Sequence, residues 1–383
     1  MMSRSQVCLV LPECSATAAS HFAHLPRLVR ELSEHVQVAV VAQRGARDAT
    51  VPGSTTTVVQ RAGGPARRAL ELAGILWRLR GLGYRTVFVR ISISGVVVAS
   101  VLARLAGMRV MYWHSGQQWP SALTGAGARL TRWRQTIAQS VAFRLCHRLV
   151  TGPSTMAAYY ATQFGVPREK ILLASNDIDV TASDAAVHQW TVAEARGLLD
   201  IPPTRPVVVF IGRVSGLKGG QYLVPLAARL KAAEPEVLVV VAGDVHRAGF
   251  KDEIDRAGVA HNVRVLGPIA NPDVALLHRA ADVFVLPSNA EGFPRALLEA
   301  MAFGTPSVAF AAGGVREILG ADCTEWVTEI GDVAGMADRV LRLLRSRDER
   351  ARLSTAVRVR VLAFDTPRVA RELAALFTRE AAP

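Results

Sequence analysis

Pro287-Ser-Asn-Ala-Glu-Gly-Phe-Pro-Arg-Ala-Leu-Leu-Glu-Ala-Met-Ala-Phe-Gly-Thr-Pro306 reads as the exit of a strand followed by a helix. The apolar run 281–286 before it suits a buried parallel strand, 288–294 its exit loop, and 295–303 a helix closed by Gly304 and Pro306. Such a helix points free N–H groups and the positive end of its dipole at whatever lies before it, which favours a phosphate. Glu291 in the loop and Glu299 on the helix stand eight residues apart, and each can accept hydrogen bonds from hydroxyl groups. Two carboxylates beside a phosphate site suit a ligand carrying two sugars. An ordinary amphipathic helix with two solvated glutamates is the plainer alternative.

Working outward, the alternation of apolar runs with helical patterns covers the whole chain. Strands are expected at 6–11, 36–41, 86–91, 109–113 and 171–174, and helices at 21–35, 67–80, 95–106 and 129–148, with a short segment at 149–154. The second half repeats this with strands at 206–211, 237–242, 263–266, 283–286 and 307–310. Strands alternating with helices imply an α/β protein with parallel sheets. The polar stretch 181–205, which ends in Ile-Pro-Pro-Thr-Arg-Pro, reads as a linker with one short helix. From Val333 the chain is expected to be almost wholly helical, broken into two pieces at Asp365-Thr366-Pro367.

A second glycine-rich step follows strand 207–211: Gly212-Arg213-Val-Ser-Gly-Leu-Lys218-Gly219-Gly220. Its glycines permit close backbone approach, and two cations five residues apart can converge on one anion. Only four lysines stand among 45 basic residues, so Lys218 is conspicuous.

Taken with Gly313-Gly314-Val-x-Glu317, these segments resemble the Glu-x7-Glu signature and the Gly-Arg-x4-Lys-Gly element of retaining glycosyltransferase family 4, the group 1 glycosyl transferases. The resemblance implies the GT-B fold: two Rossmann-like, doubly wound parallel-sheet domains facing a cleft, with C-terminal helices. The boundaries would be 1–180 for an acceptor-side domain, 181–205 for the linker and 206–364 for a nucleotide-sugar domain. A last helix, 365–383, would return to the first domain.

It implies that Arg213 and Lys218 clamp a donor diphosphate, that Glu291 accepts from the transferred sugar and Glu299 from the ribose. The backbone of Phe293, Pro294 and Arg295 would line the transferred sugar, Gly212, Gly292, Ala296 and Leu297 would also belong to the donor site, and Ile269 would pack on the base or, equally, in the core. His114, in Trp-His-Ser-Gly116 at a strand end, matches a histidine that contacts the donor near the reacting carbon; capping the following turn is its plainer role. Where relatives carry a Gly-Gly pair after the first strand, this chain has Ser15, Ala16 and Thr17, which leaves the acceptor side altered.

The implied activity is transfer, with retention and without a metal or other cofactor, from a nucleotide-diphosphate sugar to a sugar, lipid-linked or phosphorylated acceptor in cell-surface polysaccharide or glycolipid assembly. UDP-sugars come first among donors and GDP-sugars next. A catalytically silent homologue acting as a partner subunit is the alternative. Asn176-Asp177-Ile178-Asp179 contains a D-x-D, but relatives place Asn-Gly-Val-Asp there, outside metal chemistry.

Composition bounds the partners. Cys8, Cys14, Cys146 and Cys323 are scattered, without spacing for zinc or a disulfide framework, which suits a reducing cytoplasm. No apolar run approaches the roughly 20 residues that span a bilayer. Residues 51–150 contain 14 arginines, no lysine and one acid, Glu71, so this window alone accounts for the chain's net +13. Its field suits an anionic partner: a phosphorylated acceptor, or the inner leaflet of the membrane with the protein peripheral on it. Nucleic acid is not expected, since no recognition element accompanies the charge. The arginine-rich helix 129–148, with Trp133 and Phe143, fits a leaflet-binding helix and an ordinary packed helix equally.

Overall fold

The computed structural model describes residues 4–14, 24–46, 48–116 and 126–381. The chain folds into two compact units. The first takes the described residues up to Gly116, those from 126 to Asp177 and those from Asp365 onward; the second takes Ile178–Phe364.

The first unit holds strands β1 (Gln6–Leu11), β2 (Gln37–Ala42), β3 (Thr56–Val59), β4 (Thr86–Arg90), β5 (Arg109–Trp113), β6 (Arg148–Thr151) and β7 (Ile171–Leu173). They form one parallel sheet in the order β3-β2-β1-β4-β5-β6-β7. The second unit holds β8 (Val207–Ile211), β9 (Leu238–Ala242), β10 (Val263–Gly267), β11 (Val283–Leu286), β12 (Ser307–Phe310) and β13 (Val327–Thr328). Their order is β10-β9-β8-β11-β12-β13, again parallel throughout. Continuous apolar runs such as Val207-Val-Val-Phe-Ile211 are what a parallel strand needs when helices cover both faces.

Strand order reverses between β1 and β4 in the first sheet and between β8 and β11 in the second. In open α/β sheets the crevice beyond the carboxyl ends at such a switch point is where ligands bind. Helix packing in the first unit follows from the handedness of the crossovers. The helices Pro65–Gly81, Ile93–Ala106 and Ala126–Leu145 connect strands that advance in one direction, so they share one face and one core cluster. The helix Leu25–Ser33 connects strands in the other direction and packs on the opposite face, beside the last helix, Thr366–Ala381. That last helix is held by Phe377, edge-on to Phe88 at 5.0 Å, and by a 2.8 Å ion pair between Glu380 and Arg148.

Several elements differ from the sequence reading. The edge strand β3 and the helix Ser154–Phe164 have no counterpart in it, and the stretch 181–205 contains most of one helix, Val180–Val187, and all of another, Val192–Leu198. The second of these starts with a capping box in which Thr191 and Glu194 satisfy each other's backbone N–H groups. The C-terminal region has a further break at Ser346, whose side chain caps the helix Arg347–Val361. The expected helix 21–35 is described as Leu25–Ser33, and its first three positions lie outside the described residues, as do Ser15, Ala16 and Thr17.

Candidate functional site

β8 and β11 are far apart in sequence yet paired through Val208 with Val283 and Val209 with Phe284, so their exit loops meet. Gly219 lies at φ +74°, where a Cβ would stand 1.7 Å from the Pro287 carbonyl oxygen; only glycine allows the cation-bearing loop to rest on the β11 exit. Asn289 joins the same two segments three times. Its backbone N–H donates to Leu217 O at 3.0 Å, its Nδ2 donates to Gly216 O at 2.6 Å, and its Oδ1 accepts from the Tyr222 hydroxyl at 3.0 Å.

This suture brings Lys218 Nζ to 2.7 Å from Glu291 Oε1, which also accepts from Ser288 Oγ at 2.7 Å. Glu291 is only 6% exposed while the Lys218 side chain is about a third exposed, so the pair lies half in the protein and half toward solvent. A third loop supports it from beneath: Gly313 has φ +52°, and a Cβ there would stand 1.8 Å from Glu291 O. Arg213, five residues before Lys218, is exposed and makes no ion pair or side-chain hydrogen bond among the described residues. The site thus offers a cation tethered to a buried carboxylate, with a second, exposed cation on the same loop.

The helix Arg295–Ala302 begins at Pro294, which gives it no side-chain cap, and turns the positive end of its dipole toward the β11 exit loop. Phe293 and Leu297 are buried in the core, with Phe293 edge-on to Phe364 at 5.5 Å. Their side chains serve packing, which leaves their backbone to line a site; Gly292 and Ala296 flank them with little side chain of their own. Glu299 is partly buried, and that burial raises its carboxyl above the usual range while Arg295, one turn earlier, pulls the other way. Ile269, two residues past β10, is half-buried against the core of the same unit. Sequence reasoning misses Asn289 and Ser288: the work of Asn289 depends on a carbonyl 73 residues away, and Ser288 serves Glu291 only three residues on, although their place just before Glu291 at a strand exit is visible.

In the first unit, His114 follows β5 and sits in an aromatic nest, its ring centroid 5.5 Å from Phe143 and 5.7 Å from both Tyr112 and Tyr160. Burial lowers its pKa from 6.5 to about 4, so the ring is neutral at pH 7. Nδ1 lies 2.6 Å from the Tyr160 hydroxyl, which is also 3.1 Å from both Gly116 N and Gly116 O. The phenol has one proton. If it goes to Nδ1, Nε2 carries the ring hydrogen and becomes the donor; if it goes to Gly116 O, Nε2 is the acceptor. Tyr160 comes from the unforeseen helix Ser154–Phe164, so this partner is not legible in the sequence.

Beside it, Ile91 closes β4 at φ +65°, a strained state for a β-branched residue. The conformation is held by Ile91 N–H donating to Trp113 O at 3.0 Å and by the Tyr112 hydroxyl donating to Ile91 O at 3.3 Å. Nothing in the sequence announces it.

The two carboxylates of the D-x-D are engaged in structure. Asp177 is buried and accepts from Thr366 Oγ1 at 3.0 Å, and Asp179 caps the helix Val180–Val187 by accepting from Ala182 N–H at 2.9 Å.

Residues 192–360 match the family described as Glycosyl transferases group 1. A D-inositol 3-phosphate glycosyltransferase from Salinispora tropica is 28% identical over 265 residues, covering 66% of this chain and 55% of its own. The chain spans about half the length of the curated relatives it matches. Among solved structures, the sucrose-phosphate synthase of Thermosynechococcus elongatus superposes with TM-score 0.77 at 18% identity, covering 98% of this chain and 99% of that one. HepE of Anabaena in complex with UDP gives 0.75 at 18% identity, covering 98% and 100%. The shared fold is α/β of the GT-B type.

Proposed function

From the match of residues 192–360 to the group 1 glycosyl transferases, we propose that the protein transfers a sugar, with retention of anomeric configuration, from a nucleotide-diphosphate sugar to a hydroxyl acceptor. The observation that carries this reading is the pairing of Lys218 with Glu291 at the switch point of the second sheet, with the exposed Arg213 on the same β8 exit loop as Lys218. Arg213 and Lys218 hold the two phosphates and stabilise the charge that grows on them as the bond from sugar C1 to phosphate oxygen breaks. The acceptor oxygen bonds to C1 on the same face, and its proton passes to the departing phosphate oxygen. Glu291 accepts from a sugar hydroxyl through Oε2 while Oε1 keeps Lys218 in place. Glu299 accepts from the ribose.

UDP is the favoured nucleotide. HepE, a structural neighbour, was crystallised with UDP and with UDP-glucose. Arg213 and Lys218 are proposed to supply the positive charge the diphosphate needs, so the transfer is proposed to run without a metal. The acceptor is proposed to be phosphorylated or lipid-linked; the arginine excess of residues 51–150 and the D-inositol 3-phosphate named for the relatives both favour an anionic one. Cell-surface polysaccharide or glycolipid assembly is the setting that follows.

The test is incubation with a panel of UDP- and GDP-sugars in EDTA, following sugar release and its anomeric form by NMR. Release of the α-anomer from an α-linked donor supports the reading. Inversion contradicts retention, and no turnover of any donor, with or without acceptor candidates, contradicts the activity.

A further inference from the structure

We propose that the outer surface of the three helices Pro65–Gly81, Ile93–Ala106 and Ala126–Leu145 is a docking face for an anionic lipid bilayer. These helices lie side by side on one face of the first sheet, the middle one touching both others. Their inward rows, among them Leu76, Ala103 and Phe143, are buried against that sheet. On the opposite side stand Leu70 and Trp77, 75% and 54% exposed, Val101 and Leu105, and Trp133 and Ile137. Spacings of seven and four residues place each pair on one outward stripe, so three neighbouring helices each show an apolar stripe to solvent. Isolated exposed apolar residues need no explanation, whereas apolar stripes repeated on three neighbouring helices point to a contact surface.

The charge around the stripes identifies the occupant. Arg67, Arg78, Arg104, Arg134 and Arg144 are all exposed among them. The only carboxylate within residues 51–150, Glu71, accepts from the backbone N–H groups of Arg61 and Ala62 and so holds the loop before its helix. A surface of aliphatic side chains, tryptophans and arginines without free acids matches the boundary between anionic headgroups and acyl chains. There the rings sit at headgroup level and the cations meet lipid phosphate. A nucleic acid would satisfy the arginines and leave the apolar stripes in water. Among the described residues no helix is long and apolar enough to cross a membrane, so the face would lie on the leaflet.

The test is flotation of the full chain with vesicles of phosphatidylcholine alone and with vesicles containing about one-third phosphatidylglycerol, at low and high salt. The expected result is binding to the anionic vesicles only, weakened by salt. Trp77→Ser with Trp133→Ser should lower the partition coefficient about tenfold, as should Arg78→Gln with Arg104→Gln and Arg134→Gln. Arg352→Gln on the second unit should leave it unchanged. UDP-dependent thermal stabilisation, measured on the same preparations, reports folding and the donor site separately. This surface therefore stands or falls apart from the transfer reaction. Absence of flotation would overturn the proposal, as would flotation indifferent to both sets of substitutions. A lipid-free dimer that dissociates on replacing the two tryptophans would assign the face to protein contact instead.

Discussion

The two units share one topology and divide the molecule's chemistry differently. In the second, the switch point between β8 and β11 is bound into a single object: Gly219 rests on Pro287, Asn289 ties down residues 216 and 217, and Gly313 supports Glu291. In the first, the corresponding edge is occupied by a strained Ile91 and a histidine stripped of its charge, and the unit's positive charge sits on its helices. A parallel sheet with a reversal of strand order provides a place for a ligand. The loops at that reversal decide what the place can do.

The largest expected effect tests the second unit. Lys218→Ala removes a cation from the developing diphosphate charge and should lower kcat/KM about 10²–10³-fold, the usual loss when one preorganised transition-state contact is deleted. It also leaves Glu291 buried without its partner, so melting should be recorded in parallel. Steady-state rates within a few-fold of wild type would separate the pair from the chemistry.

The next effect belongs to the first unit. The folded-state pKa of His114 lies below the unfolded value, so its contribution is fully present above pH 6.5 and is lost as pH falls toward about 4. The span is worth about 3 kcal/mol at 1.36 kcal/mol per unit. His114→Phe should flatten the pH dependence of unfolding free energy across that window by about this amount. Parallel curves for the two proteins would mean that the ring is not held neutral by burial.

Asn289→Ala cuts the tie between the two exit loops. It should cost about 1–3 kcal/mol in denaturant unfolding and raise KM for the donor more than it lowers kcat, because the groups remain but are less well placed. An unchanged KM would make Asn289 a purely structural residue. The smallest effect is expected at Ile91, which is substantially exposed: Ile91→Gly relieves left-handed strain and should stabilise the protein by no more than about 1 kcal/mol. Destabilisation by that substitution would show that the φ there is not under strain.

The sequence announces what depends on local spacing. The strands of both sheets are apolar runs, and the glutamates and the Arg-Lys loop sit in stretches whose glycines mark close approach. The helix Val192–Leu198 is equally announced by Thr191-Val-Ala-Glu194, a capping box easily lost within a polar stretch that resembles a linker. What escapes notice is non-local or short. Asn289 matters because of a carbonyl 73 residues away, and Tyr160 matters because its helix returns a hydroxyl to His114. β3, Thr-Thr-Val-Val, is a four-residue edge strand too short to show a period. The pattern assigns the backbone around Phe293 to the donor, and burial of the Phe293 and Leu297 side chains in the core is compatible with that use of the backbone.

The central claim is that Arg213 and Lys218 form a diphosphate site complete without a metal. Its most direct test is a thermal melt of the purified chain with UDP in excess EDTA, run on wild type and on Lys218→Ala. A ligand that binds only the folded state at about 100 times its Kd adds about 2.7 kcal/mol, so wild type should melt higher with UDP while the variant loses most of that gain. Stabilisation that appears only on adding Mg²⁺, or that survives intact in Lys218→Ala, would contradict the account.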